Sequence, residues 1–235
     1  MIQRGASALY QQDSSAMMQK PLSELIADRL KQKIWNEEIQ LGKRLLETEL
    51  AETFDVSRST IREALKILES EELINSQARK GTYVKAFTQQ DVDEIIELRT
   101  LIEERAFIQA ARYLGENDIK KLEAIVEQMK TKADEQDWHG LFDLDMLFHN
   151  YVVRMCRNSR IIKIYDSLQV QIRTFLMHLD RYYSSHQSFY DEHKLLLQAL
   201  VSKDAHTVKR RVRNHIAYVE TKLLGQKNNV ELEEV

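Results

Sequence analysis

The sequence predicts a mainly α-helical protein in two parts: a small N-terminal unit of helices closed by a β-hairpin, and a larger antiparallel bundle built of helices alone. Three observations carry this. Only six Gly and one Pro occur in 235 residues, and because these residues punctuate loops and break helices, their scarcity argues for long helices with short connections. Apolar residues recur at helical spacing through most of the chain, while β-prone runs are confined to the stretch 73–85. Hydrophobic residues at 43% against 30% charged give a globular balance, which excludes a disordered chain.

Residues 1–18 are polar, with Gln and Ser runs, and read as a loose arm. From 19 to 87 the elements follow closely. Pro21 starts a first helix in which Leu22, Leu25, Ile26, Leu30 and Ile34 share a face; it ends near Asn36. After a turn at Gly42, a short helix from Thr48 to Phe54 buries Leu50, Ala51 and Phe54. Asp55-Val56-Ser57 makes a tight turn, with Ser57 placed to cap a third helix beginning at Arg58 and burying Ile61, Ala64, Leu65 and Leu68. Two β-prone pieces, Leu73 to Ser76 and Thr82 to Lys85, are joined by Ala78-Arg79-Lys80-Gly81. A linker of about Ala86 to Gln90 leads to the second part, 91–225, where Thr88 and Asp91 form a capping box with Asp in place of Glu or Gln. Six helices follow, near 91–113, 117–136, 139–156, 159–182, 187–201 and 204–224.

Several classes of function are excluded or made unpromising. A single cysteine, Cys156, leaves no internal disulfide and no thiolate-rich zinc site, as in a reducing cytosol. No run approaches the roughly 20 apolar residues that span a bilayer, and residues 1–20 lack the apolar core of a signal peptide. A soluble, cytoplasmic protein is therefore expected. The net charge of −3 means that any nucleic-acid surface must be a local patch.

Helix, short helix, tight turn, helix and hairpin is the plan of a winged helix-turn-helix. The DNA major groove, about 12 Å wide, admits one α-helix that turns hydrogen-bonding side chains outward while its other face packs. The third helix meets that requirement: Arg58, Ser59 and Arg62 lie opposite Ile61, Leu65 and Leu68. Its N-terminus favours a phosphate, and the Ser57 and Thr60 hydroxyls add donors. Arg is the side chain suited to grip guanine bidentately, and Arg79 and Lys80 carry two cations on the wing. The bland alternative is that the arginines decorate a solvated face beside Glu63 and Glu69.

The run Leu50-Ala-Glu, then Val56-Ser-Arg-Ser-Thr-Ile-Arg-Glu-Ala-Leu65-Lys-Ile-Leu68, then Gly81-Thr-Tyr-Val84 resembles the GntR family of bacterial regulators. The resemblance implies DNA contacts at Ser57, Arg58, Ser59, Arg62, Lys80 and Gly81. One departure matters: many members carry an Arg just before the segment equivalent to Glu49-Leu50-Ala51, and Thr48 stands there.

In the helical half, Asp145 and His149 lie four residues apart on a face that also carries Leu141, Phe148 and Val152. His193 shares a stripe with Phe189, Leu196, Leu197 and Leu200; His215 shares one with Val208, Val212 and Val219. Singly, each histidine reads as a core residue satisfied by one hydrogen bond. Jointly, three imidazoles and a carboxylate on inward faces are what a divalent cation such as zinc, nickel or manganese requires. Arg99 falls in line with Val92, Ile95, Ile102 and Ala106, an odd place for a charge unless it is paired, with Glu103 as one partner. Arg154, Asn158 and Arg173 are weaker pocket residues, and His139, His178, His186 and His206 read as solvated.

This half resembles the FCD ligand-binding domain attached to many GntR winged helices, through Asp145-Met-Leu-Phe-His149, Glu192-His193 and His215. Six helices fit its shorter, vanillate-regulator branch. The resemblance implies that Asp145, His149, His193 and His215 hold the metal and that Arg99 takes an effector carboxylate. The reading is thus a ligand-responsive regulator: a homodimer on a pseudo-palindromic operator whose DNA affinity a small organic or sugar acid shifts. Release of DNA and lifted repression are what the resemblance to most relatives implies. Two rivals remain. One is a metal-dependent enzyme acting on small carboxylic acids, although no HExxH, nucleophile elbow or P-loop is present and Glu192 is the only plausible base. The other is a DNA-binding dimer whose helical half takes no ligand.

Overall fold

The computed structural model describes residues 20–77, 80–177 and 185–230, with side chains as far as residue 217. The expected arm over 1–18, Arg79, His178 and the Val219 side chain lie outside them. Contacts divide the chain into two compact units, Met1–Ala86 and Phe87–Val235. No helix of the described residues is long and apolar enough to cross a membrane.

The first unit runs α1 (Leu22–Trp35), β1 (Arg44–Leu45), α2 (Glu47–Phe54), α3 (Arg58–Ser70), β2 (Ile74–Gln77) and β3 (Gly81–Val84). The strands form one antiparallel sheet in the order β1-β3-β2. Strand β1 is an addition to the sequence reading. Gly42, at φ +77°, turns the chain so that its N–H reaches the Val84 carbonyl and the Val84 N–H returns to Lys43, both at 2.9 Å. Two residues are too few to show an alternating pattern. The core joins Ile26, Leu30 and Ile34 of α1 to Ile61, Ala64 and Leu68 of α3, over Leu73, Ile74 and Val84. Each large side chain buried there contributes roughly 1.5–3 kcal/mol. Leu22, expected on this face, is exposed because it opens the helix at the rim, and Leu50 and Phe54 are only half-buried. Lys31 ties α1 to the end of α3 through Glu71 and also meets Asp28 on its own helix, each at 3.0 Å.

The second unit contains α4 (Gln89–Tyr113), α5 (Glu116–Asp134), α6 (Trp138–Met155), α7 (Ser159–Met177), α8 (His186–Ser202) and α9 (Ala205–Val230). Polar side chains stop and start these helices where the sequence breaks. Thr88 and Asp91 complete a reciprocal capping box, Thr88 Oγ1 accepting from Asp91 N at 3.1 Å and Asp91 Oδ2 from Thr88 N at 2.9 Å. Asp137, Asn158, Ser185 and Asp204 accept N–H groups at the starts of α6, α7, α8 and α9. Helix α4 packs on α9, α6 and α7; α5 packs on α6 and α8; and α8 also lies against α9. Side chains from α4, α6, α8 and α9 thereby converge on one interior.

Candidate DNA-reading face and candidate metal centre

On α3, Ser57 sits in extended backbone before the first turn and its Oγ accepts from Thr60 N at 3.2 Å. The hydroxyls of Ser59 and Thr60 lie 2.7 and 2.8 Å from the same oxygen, so one cap gathers three hydroxyls at the helix N-terminus. Asp55 in the left-handed region (φ 51°) makes the bend from α2 to α3, a conformation that short polar side chains tolerate. Arg58 and Arg62 both point outward, each 59% exposed, and both reach one carboxylate: Glu47 Oε2 lies 2.7 Å from Arg62 Nε and 3.5 Å from Arg58 Nη2. Glu47 was not singled out by the sequence, because it starts α2, eleven residues ahead of Arg58.

On the wing, Lys80 is exposed, its N–H bonded to Gln77 O and its carbonyl accepting from Tyr83 Oη, both at 3.0 Å. Gly81 has φ +117°, where L side chains are strained, and a Cβ there would lie 2.8 Å from Arg44 Nε. Arg44, on the unexpected β1, therefore lays a guanidinium against the wing glycine. Its cation was missed with its strand.

In the bundle, Asp145 and His149 come from α6, His193 from α8 and His215 from α9, and all four are buried. One ligand atom from each lies within 4.8 Å of every other. His193 Nε2 stands 2.9 Å from Asp145 Oδ1, His149 Nε2 stands 3.6 Å from the same oxygen, and the Nε2 atoms of His149 and His215 are 3.2 Å apart. Arg99 of α4 is 4% exposed; its Nε donates to Glu103 Oε1 at 2.8 Å and its Nη2 lies 3.5 Å from Asp145 Oδ2. Both readings of Arg99 thus have a basis: it is paired internally and it borders the cluster. Glu103, entirely buried, also meets His149 Nδ1 through Oε2 at 2.6 Å.

The donor set fits a cation. Nδ1 of His193 faces the Phe189 carbonyl at 2.8 Å, and Nδ1 of His149 faces the Glu103 carboxylate, so each of these nitrogens must donate. In the neutral form that a metal ligand must take, Nε2 of each ring would then be the bare nitrogen, directed at Asp145 from His193 and at Asp145 and His215 from His149. Lone pairs facing lone pairs in a buried site repel unless a proton or a cation lies among them. Imidazoles anchored at Nδ1 by acceptors and converging through Nε2 are the arrangement of histidine metal sites. Four buried polar atoms nearby make no hydrogen bond: Arg99 Nη2, Asp145 Oδ2, His215 Nδ1 and Tyr165 Oη.

The electrostatics follow from burial and charge. Burial favours the neutral acid at Asp145, but His149, Arg99 and His193 outweigh it and hold the carboxyl well below the usual range. Glu103 behaves alike, with Arg99 and His149 overriding burial. His215 is pushed well below the ordinary imidazole value by burial and by the neighbouring His193 and His149, which keeps it neutral, as a ligand must be. Tyr165 is raised well above the ordinary phenol by burial and by Glu103.

The weaker pocket residues do not join this cluster. Arg154 pairs with Asp166, Asn158 caps α7, and Arg173 pairs with Asp143. His139 and His206 are exposed, as expected. His186, expected to be solvated, instead stacks on Trp138 at 4.0 Å between ring centroids, because the first turn of α8 packs on the first turn of α6.

Comparison with known proteins accounts for both halves. Residues 22–84 match the model of the bacterial regulatory proteins of the gntR family, and residues 94–218 match that of the FCD domain. The gluconate operon transcriptional repressor of Bacillus licheniformis is 33% identical over 184 residues, covering 76% of this chain and 75% of its own. The repressor of the same description from Bacillus subtilis (strain 168) shares the same identity and coverage. Among solved structures, E. coli McbR/YncC has a TM-score of 0.74 at 21% identity, covering 88% of this chain and 99% of its own, which shows a common fold. The two gluconate operon repressors and both matching family models are of transcriptional regulators, which removes the ground for an enzyme. The chain belongs to the GntR family of bacterial transcriptional regulators, a winged helix-turn-helix followed by an FCD domain.

Proposed function

We propose that this regulator is a repressor whose FCD domain senses a small organic or sugar acid with the help of a divalent cation. One observation carries the reading: four inward donors from three helices lie within 4.8 Å of one another, with Arg99 beside them. Asp145, His149, His193 and His215 would hold the cation, with zinc, nickel and manganese the metals of matching chemistry. Bound there, the cation would supply positive charge beside Asp145 and Lewis acidity toward an oxygen of the acid. Arg99 Nη2, buried without a hydrogen bond, supplies the donor for the acid's carboxylate. The gluconate repressors among the relatives make gluconate the first acid to try.

On the DNA side, Ser57, Arg58, Ser59, Thr60 and Arg62 read a half-site from the major groove, while Lys80 and Gly81 meet the backbone. A homodimer would place two such helices on a pseudo-palindromic operator. The acid shifts operator affinity by the difference between its affinities for the DNA-bound and released states, and by no more.

Elemental analysis of the purified protein, followed by operator binding with and without gluconate before and after chelation, tests the reading. Metal at one per chain and acid-dependent release lost on chelation support it. Absence of metal, with no thermal shift from any carboxylic acid, would establish the ligand-free alternative. His193→Ala should lower metal occupancy while sparing operator binding; wild-type metal content in that variant rejects the ligand assignment.

A further inference from the structure

Glu103 stands outside the donor set, yet both its oxygens are committed: Oε1 to Arg99 Nε at 2.8 Å and Oε2 to His149 Nδ1 at 2.6 Å. We propose that Glu103 is a positioning residue that holds His149 in the tautomer able to bind a cation and, with its other oxygen, holds Arg99 beside Asp145. The proposal rests on the metal-and-acid reading above and extends it to a residue that contacts neither ligand.

The argument begins on α4, where Arg99 and Glu103 are four residues apart and so stack on one inward face. An ionised carboxylate can only accept hydrogen bonds. His149 must therefore carry a ring proton on Nδ1, so that in its neutral form Nε2 is the bare nitrogen, facing Asp145 and His215. At His193 the same service is done by the Phe189 carbonyl, a backbone group that no substitution removes. At His149 it depends on one side chain. The same carboxylate fixes Arg99 by Nε, which leaves Nη2 as the end facing Asp145 Oδ2.

Glutamine is the discriminating replacement, since its amide has one acceptor oxygen and one donor nitrogen where glutamate has two acceptors. The oxygen will turn to the guanidinium, because a hydrogen bond to a charged donor is the stronger. The amide NH₂ then faces His149 Nδ1, which must become the acceptor. The ring proton moves to Nε2 and blocks it.

The experiment uses the full-length chain, wild type and Glu103→Gln. In the metal-free proteins, at a pH alkaline enough for a single ring proton, nitrogen-15 imidazole spectra should place the His149 proton on Nδ1 in the wild type and on Nε2 in the variant. Cobalt(II) titration should give a Kd weaker in the variant by about 10–100-fold, with an altered visible spectrum. A neutral wild-type His149 with its proton on Nε2 overturns the proposal without recourse to any variant, even if Glu103→Gln does not fold. Equal cobalt affinity in both proteins overturns it while leaving the metal reading intact. A wild type that takes no cobalt defeats the metal reading, and the tautomer spectra then decide the role of Glu103.

Discussion

Glu47 and Glu103 are both carboxylates shared by two basic partners, and their surroundings set them apart. Glu47 serves Arg58 and Arg62 on the open face of α3, where both arginines are 59% exposed. Glu103 serves Arg99 and His149 in the bundle interior, where it is 0% exposed. Water competes for the first arrangement and salt screens it, so its partners stay available to another anion. Nothing competes for the second, so its partners are fixed and any change of charge there is felt by the whole domain. On the proposed function, a surface that exchanges partners with DNA and a site that holds a geometry would use the same chemistry at different depths.

The sharpest way to break the comparison is to delete each carboxylate. Glu103→Ala leaves a buried guanidinium and a buried imidazole without their acceptor, and unfolding should become easier by about 3–5 kcal/mol. The midpoint of denaturant unfolding of the chelated protein measures this. A loss no greater than that of a surface ion pair would mean that the interior is wet, and the contrast drawn here would fail.

The next test uses pH. Asp145 and Glu103 are held below the carboxylate range, so their contribution is complete above about pH 4 and is lost as the pH falls through the lowered values. His215 is also depressed, and it therefore stays neutral in the fold while the unfolded chain takes up a proton below about pH 6.5. The unfolded state binds more protons, so stability falls with falling pH. Melting temperatures of the chelated protein should decline from about pH 6.5 downward, and His215→Asn should flatten the first part of that decline. A wild-type curve flat from pH 7 to 5 contradicts a neutral, buried His215.

At the DNA-reading face the expected effect is on binding rather than on folding. Arg62→Ala should weaken operator binding by about 1–3 kcal/mol, or roughly five- to 150-fold, with the melting temperature unchanged. Unaltered affinity and sequence preference would remove α3 as the reading helix. Ser57→Ala is smaller and of the other kind: loss of the cap on Thr60 N should cost about 1 kcal/mol of stability.

How much was legible in the sequence follows the same division. Local features were legible: Ser57 as a cap, the Thr88–Asp91 box and the breaks at Asp137, Ser185 and Asp204 are each written within four residues. The cluster of Asp145, His149, His193 and His215 was also traceable, because a polar residue on an apolar stripe is conspicuous at helical spacing. Glu103 was named only as the neighbour of Arg99, since its second partner lies 46 residues away and no local pattern joins them. Arg44 was hidden because β1 is two residues long and owes its existence to β3. His186 misled because a helix-end position predicts solvent, and the stacking Trp138 comes from another helix.

The smallest expected effect sharpens the comparison most. Glu47→Gln should shift stability by less than about 1 kcal/mol, because an exposed pair contributes little. Its effect on DNA has two parts of opposite sign. Removing a negative charge beside Arg58 and Arg62 reduces repulsion of phosphates, so affinity for random-sequence DNA should rise. Freeing the two guanidinium groups costs more ordering when they meet a base edge, so affinity for the operator should rise less. The ratio of operator to random-sequence affinity should therefore fall, measured at one fixed salt concentration because phosphate contacts are salt-dependent. A ratio that is unchanged while both affinities rise would reduce Glu47 to a bystander charge. A ratio that falls would mean that the exposed carboxylate, despite its negligible contribution to stability, orders the arginines as Glu103 orders Arg99 and His149.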